Sequence, residues 1–292
     1  MPEYRDILAV VRALPAEVDG ISVRQPLPRG GMSYLDPFLL LHHMGPIHLP
    51  GGDRPQEYGF VPHPHRGFEA VTFVYRGGVH HRDSRGNDHV VHAGGVQWLT
   101  AGRGIIHSER PPRELVENGG DQEIIQLWVN LPARDKWVQP RYQGFDAGDI
   151  PRVTSDDGRV IVRVMAGALG DVTGPVATRT PVLALSAEFR DGGHHRFQVP
   201  SGHNAFVYLL DGRCLINEHE EAAGEHLVRF AAQGGDILIE ARENTRALLM
   251  AGEPLNEHVV RSGPYVMNSE TEILEAVRDA QMGRMGVLIE TF

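Results

Sequence analysis

Almost the whole chain is a succession of short β-prone runs, each closed by glycine, proline, asparagine or aspartate, and this rhythm constrains the fold more than any other feature. Phe68 to Tyr75 is ended by Gly77-Gly78, and Val79 to Arg82 leads into the turn Ser84-Arg85-Gly86-Asn87-Asp88. His89 to His92 is broken at Gly94-Gly95, Val96 to Thr100 runs into Ala101-Gly102-Arg103-Gly104, Ile105 to Glu109 stops at Pro111-Pro112, and Glu123 to Leu131 follows. Strands at this spacing predict an all-β barrel or sandwich. Asp135 to Asp149, with Pro140, Gly144 and Gly148, reads as an irregular connection. The style then repeats: Arg159 to Ala166, Pro181 to Phe189, His195 to Val199, Ala205 to Leu210, Arg213 to Asn217, His226 to Ala231, Asp236 to Glu240 and Arg246 to Met250. Two similar barrels in tandem account for the repetition, with residues 1–134 as the first and 135–292 as the second. A convincing helix is expected only near the end. Asn268-Ser269 offers a cap, acids follow in the first turn, Ile273 and Val277 are four apart, and Gly283 is a stop.

Composition excludes more than it selects. The formal net charge of −10 argues against nucleic acid as a partner, because phosphate binding needs a basic surface. Cys214 is the only cysteine, so neither an intramolecular disulfide nor a thiolate metal cluster can form. The start of the chain shows no secretory pattern, and the apolar runs are too short to span a bilayer, so no membrane role and a cytoplasmic location are expected.

The histidines point to metal chemistry in the first half. Ten of the 16 fall between His42 and His107. In an extended chain residues i and i+2 share a face. His63 and His65 therefore project together, with Glu69 on the same face if the strand is regular, and His107 and Glu109 share a face in the second segment. If both strands line one barrel, three imidazoles and one carboxylate converge. Such donors suit one divalent transition metal: Fe(II), Mn, Ni, Co, Cu or Zn. Four protein ligands leave two positions open on an octahedral ion, while tetrahedral zinc is also chemically consistent. Glu69 is read as a residue behind the ligands. His80 and His81 face opposite ways on a strand, and with His89 and His92 they read as solvated hairpin residues. His42 and His43, after the apolar run Phe38 to Leu41, could approach the mouth of the site. No nucleophile elbow, Walker loop or dinucleotide fingerprint is present.

At these residues the chain resembles the pirin family of the cupin superfamily. The likeness covers Leu35-Asp-Pro-Phe-Leu-Leu-Leu41, His63-Pro-His-Arg-Gly-Phe-Glu69, Gln97 to Glu109, Gln126-Leu-Trp-Val-Asn-Leu131, Pro254-Leu-Asn-Glu257, Gly263 to Asn268 and Gly283-Arg284, nearly the whole length. It implies a bicupin, with tandem double-stranded β-helix barrels and a short C-terminal helix. The metal would sit in the N-terminal barrel on His63, His65, His107 and Glu109. Glu69, the position of a further ligand in other cupins, is not normally counted as one in pirins. The second barrel is expected to be emptied: Gln198, Pro200 and Asn204 stand where its ligands would fall, and His194, His195 and His203 read as turn residues.

The resemblance further implies quercetin 2,3-dioxygenase activity, with Fe(II) the first choice of metal. A flavonol carries a 3-hydroxyl beside a 4-carbonyl, a pair able to ligate a metal, and O2 would open the heterocycle with release of CO. Glu109, as ligand or transient base, would take the hydroxyl proton, and Met44, Phe60 and Phe68 would line the pocket. The alternative implied by the same resemblance is a non-catalytic, iron-binding, redox-sensing regulator acting through a protein partner.

Overall fold

The structure is a computed structural model that describes residues 3–29, 31–52 and 58–290. It is all-β as expected, with two barrels of two sheets each and a short C-terminal helix, the architecture of a bicupin. Among the described residues no helix is long and apolar enough to cross a membrane.

The histidine-rich barrel pairs a seven-stranded sheet with a four-stranded one. The larger sheet has the spatial order Arg141–Phe145, Val96–Thr100, Phe68–Arg76, Gly120–Asn130, Phe38–Leu49, Ile21–Leu27, Leu14–Val18. The smaller has the order Phe60–His65, Ile105–Arg110, Gly78–Asp83, Asp88–His92. Phe68–Arg76 pairs antiparallel with both Val96–Thr100 and Gly120–Asn130, without a shift from Glu69 to Phe73. Unbroken register fixes the faces, because side chains alternate with period two. Ala70, Thr72, Gln97, Leu99, Gln126 and Trp128 face one way; Glu69, Val71, Trp98, Thr100, Leu127 and Val129 face the other.

Arg141–Phe145 falls in the stretch expected to be irregular, yet it pairs with Val96–Thr100 along its whole length. Gly144 and the neighbouring Pro140 mask a strand whose partner, not its own composition, makes it extended. A second difference is the helix Arg113–Asn118, six residues directly after Pro111-Pro112. The C-terminal helix Glu270–Gln281 is capped as expected. Ser269 Oγ accepts from the Glu272 amide at 3.3 Å, and the Glu272 carboxylate reaches back to the Asn268 amide at 3.0 Å.

The chain does not divide into consecutive halves at residue 134. One compact unit comprises Ala16–Val23, Phe38–Gly148 and Leu255–Phe292; the other comprises Met1–Pro15, Arg24–Pro37 and Asp149–Pro254. The N-terminal strand Ile7–Arg12 pairs with His226–Phe230 in the second unit. The C-terminal helix buries Ile273 and Ala276 with Met267, Met285 and Ile106 in the first. Pairings over such separations leave no trace in a local hydrophobic pattern. The second unit's interior is apolar throughout, from Val162 and Leu185 to Phe197, Ile239 and Leu249, with Cys214 among them.

Lys136 is buried where the first unit's strands meet its C-terminal segment. Its ammonium donates to Gly67 O at 2.7 Å, Asn130 Oδ1 at 2.7 Å and Val266 O at 3.0 Å, one acceptor for each N–H. Burial pushes this group down from its ordinary 10.5 to about 7, against opposition from Glu257 and Glu272. Between those values the unfolded chain binds a proton that the folded chain does not, so stability contributed here is present at high pH and lost as pH falls through about 7. Lys136→Met is expected to remove that dependence. In urea titrations at pH 7 and pH 9, the difference between parent and variant is expected to move in the parent's favour by roughly 2 kcal/mol. Equal differences at both pH values would mean that the buried amine does not titrate in this range.

Candidate metal centre

His63, His65 and His107 form the centre. The first two lie on Phe60–His65 and the third on Ile105–Arg110, neighbouring strands in which His107 stands opposite His63. Ligating atoms of the three rings all lie within 4.8 Å of one another. Their ring centroids are 4.7 Å (His63–His65), 4.4 Å (His63–His107) and 4.9 Å (His65–His107) apart. His63 Nδ1 donates to Val61 O at 2.7 Å and His65 Nδ1 to Pro264 O at 3.3 Å. Each bond fixes the tautomer that leaves Nε2 as the lone-pair nitrogen. Those two Nε2 atoms are 3.1 Å apart. Two nitrogens bound at about 2.1 Å on perpendicular axes of one ion would be separated by about 3.0 Å.

His107 supplies the strongest test of fit. It is fully buried, and neither ring nitrogen has a hydrogen-bond partner among the described residues. An unsatisfied buried donor or acceptor costs about 1–3 kcal/mol. A cation bound by the lone pair answers that deficit at one of the two nitrogens. Burial, then the neighbouring His63 charge, holds His65 well below the usual imidazole range; His107 is lowered by burial and by His63, His65 and His81. Both rings are therefore neutral donors at physiological pH, the form that a divalent transition metal requires.

Glu109 stands apart from this group of three. Its carboxylate is buried, and Oε1 accepts from Thr72 Oγ1 at 2.8 Å and from Gln97 Nε2, while Oε2 accepts from Gln126 Nε2. All three partners are donors, which matches a carboxylate, a group that only accepts. The pairing with Phe60–His65 shifts register between His107 and Glu109. The i, i+2 rule brings Glu109 into the barrel, but the amides and hydroxyl of the facing sheet hold it there.

Glu69 is a correction. It does not share the histidines' face: Thr72, which reaches Glu109, is three residues along the same unshifted strand, so Glu69 projects from the opposite side of the sheet. There it accepts from Thr100 Oγ1 at 2.6 Å. The cause is Gly67, at φ 87°, where a Cβ would run into the Val266 carbonyl. The chain turns there from one sheet into the other, so alternation counted from His65 does not carry across.

Two cavities open beside the centre. One, of about 380 Å³, is lined by Leu40, His42, Phe60, His63, His65, Gln126, Trp128 and Arg261, among others. The other, of about 370 Å³, contains Met44, Phe60, Val79, Ile124 and Glu109. Phe60 thus lines both and Met44 the second. Phe68 lines neither; it is fully buried behind the site, 4.9 Å from the His65 ring and 4.2 Å from Trp128. His42 lines the first cavity, and burial with the Arg261 charge lowers it to about 4. His43, next along, points away and meets Glu123 at 3.2 Å.

His81 also departs from expectation. It is fully buried, stacked 4.2 Å from Tyr142, 5.4 Å from the His107 ring, and bonded to Asp83 at 3.0 Å. It stands opposite Glu109 in the ladder, which places it inside the barrel. His80 and His89, by contrast, are paired toward solvent with Asp88 and the Tyr142 hydroxyl, and His92 with Glu114. Thr72, Gln97, Gln126, Trp128, Tyr142 and Arg261 were not anticipated. Only the period-two placing of Gln126 and Trp128 hinted at a shared face. In the second unit His194 is exposed and His195 and His203 half-buried, while apolar side chains fill the interior.

Comparison with known proteins gives the same picture over the whole chain. Residues 20–129 match the family model described as Pirin, and residues 184–286 match that described as Pirin C-terminal cupin domain. Pirin-1 of Arabidopsis thaliana is 39% identical over 96% of this chain and 94% of its own length. Pirin of Homo sapiens is 35% identical over 96% of this chain and 93% of its own. The crystal structure of a quercetin 2,3-dioxygenase from Acinetobacter baumannii superposes with a TM-score of 0.92 at 35% identity, covering 98% of this chain and 100% of the other. Two barrels, a three-histidine centre confined to the histidine-rich one, and matches across both halves agree: the chain belongs to the pirin family.

Proposed function

We propose that this protein is a metal-dependent dioxygenase that opens the heterocycle of a flavonol-like aromatic substrate, consuming O2 and releasing CO. One observation carries the reading. His63 and His65 line a cavity walled by Leu40, Phe60 and Trp128, beside them the buried His107 has no partner for either nitrogen among the described residues, and the buried Glu109 carboxylate lies in the second cavity, which shares Phe60. The similarity to a protein named quercetin 2,3-dioxygenase supports it. His63, His65 and His107 would hold one divalent transition metal, Fe(II) by preference, with Glu109 as a fourth donor or as the base. When bound, the ion supplies a Lewis acid that acidifies a coordinated hydroxyl and a redox partner for O2.

The remaining work falls to the chain. Glu109 accepts the substrate hydroxyl proton, and Thr72, Gln97 and Gln126 hold its carboxylate in place. Leu40 and Phe60 offer apolar walls to the substrate rings and keep water from the reacting carbons. The apolar interior of the second unit favours a single ion per chain. A reducing compartment such as the cytoplasm suits the lone Cys214, whose thiol burial pushes up to about 12.

The test is an oxygen-electrode assay with quercetin on protein loaded with ferrous iron, alongside elemental analysis. Flavonol-dependent oxygen uptake, CO release and a stoichiometry near one are expected. No uptake by fully loaded protein would transfer the site to the regulatory, partner-binding reading, and a stoichiometry of two would refute the single centre.

A further inference from the structure

Arg261 lies on the hairpin strand Val260–Ser262 and lines the same cavity as His63, His65 and Gln126. Its guanidinium carbon is 4.7 Å from the centre of the Trp128 ring. The same indole is 5.3 Å from the ring of His65. An exposed cation and a metal-binding imidazole therefore both contact one indole. Among the described residues Arg261 makes no ion pair, and the only acid lining this cavity, Asp19, makes none with it. His42 on the same wall is neutral at physiological pH, and Arg261 is the one arginine or lysine among the described residues lining the cavity.

A guanidinium stacked on an indole is held in place without using its N–H groups, which remain directed outward as a planar fork. That fork matches a carboxylate, two oxygens in one plane, better than any neutral group. We infer that Arg261 is a specificity-determining residue, selecting aromatic substrates that carry a carboxylate on the side remote from the oxygens presented to the histidines. The inference rests on reading this cavity as the substrate site and adds to it the charge class of the substrate. A neutral flavonol would then use only part of the pocket.

The probes are 3,4-dihydroxybenzoate and its neutral counterpart 3,4-dihydroxybenzamide. Both offer a catechol at one end and differ only in charge at the other. Binding is measured by calorimetry to nickel-loaded protein, so no turnover is needed and the result does not depend on dioxygenase activity. The acid is expected to bind about tenfold or more tightly than the amide, the scale of a charge-assisted hydrogen bond. Arg261→Met is expected to bring the ratio close to one with little change for the amide. Arg261→Lys is expected to keep an intermediate preference, since it retains charge without the fork. Circular dichroism and metal content confirm that the variants are folded and loaded. If the preference survives in Arg261→Met, the ion itself selects the acid and the inference fails. It fails equally if the parent does not distinguish the two probes, or binds neither.

Discussion

Replacing His107 by leucine is expected to abolish tight metal binding while leaving the metal-free protein at least as stable as the parent. The two halves of this expectation have one cause. In the metal-free protein His107 is a fully buried imidazole whose nitrogens find no partner among the described residues. Leucine fills similar space without the penalty of about 1–3 kcal/mol for each unsatisfied polar atom. With metal the balance reverses. A ligand present at 1,000 times its dissociation constant stabilises the folded state by about 4 kcal/mol, and losing one of three imidazoles is expected to weaken binding by roughly 10³-fold or more. Thermal denaturation with nickel and with chelator, beside metal content after dialysis, reads both effects. His63→Ala and His65→Ala are expected to lose the metal-dependent increment in the same way. Full metal content in His107→Leu would remove His107 from the centre. A large loss of stability in the metal-free variant would make it a core residue instead.

Glu109→Gln is expected to lower turnover of a flavonol by roughly 10²-fold or more, the scale of a lost positioned base. Metal binding is expected to weaken but remain measurable, because the three imidazoles form a group without it. The hydrogen bonds sharpen the expectation. Thr72, Gln97 and Gln126 all donate to this carboxylate. A glutamine amide at 109 would turn its NH2 toward at least one donor, and a compensating flip of Gln126 or Gln97 would be required. A stability loss of about 1–3 kcal/mol accompanies any donor left unmatched. The decisive measurement is the rate at saturating metal. If excess metal restores full activity, Glu109 contributes only as a ligand. Glu69 cannot then take its place as base, because it projects from the far side of the sheet toward Thr100.

The sequence encodes what period two and local turns can specify. His63 with His65, and His107 with Glu109, enter one barrel because each pair lies within a single strand. The C-terminal helix follows from Ser269 and Glu272, which cap it through neighbours in sequence. Tandem barrels follow from the repeated spacing of strands and turns.

The tertiary structure decided everything that depends on which strands meet. Alternation ends at Gly67, so Glu69 falls on the far side of a break where the Val266 carbonyl, about two hundred residues away in sequence, leaves no room for a Cβ. His81 reads locally as a hairpin residue, but its strand runs beside Glu109 and its ring stacks on Tyr142. The partners of Glu109 come from three strands, and Arg261 reaches the site from a C-terminal segment that packs on the first unit. Most strands, the C-terminal helix and the shared face of each histidine or glutamate pair are legible in the sequence, because steric and hydrophobic preferences between near neighbours set them; strand Arg141–Phe145 and helix Arg113–Asn118 are not. What surrounds those faces is not local, because hydrogen bonds and ring contacts between distant strands exist only once the barrel has closed.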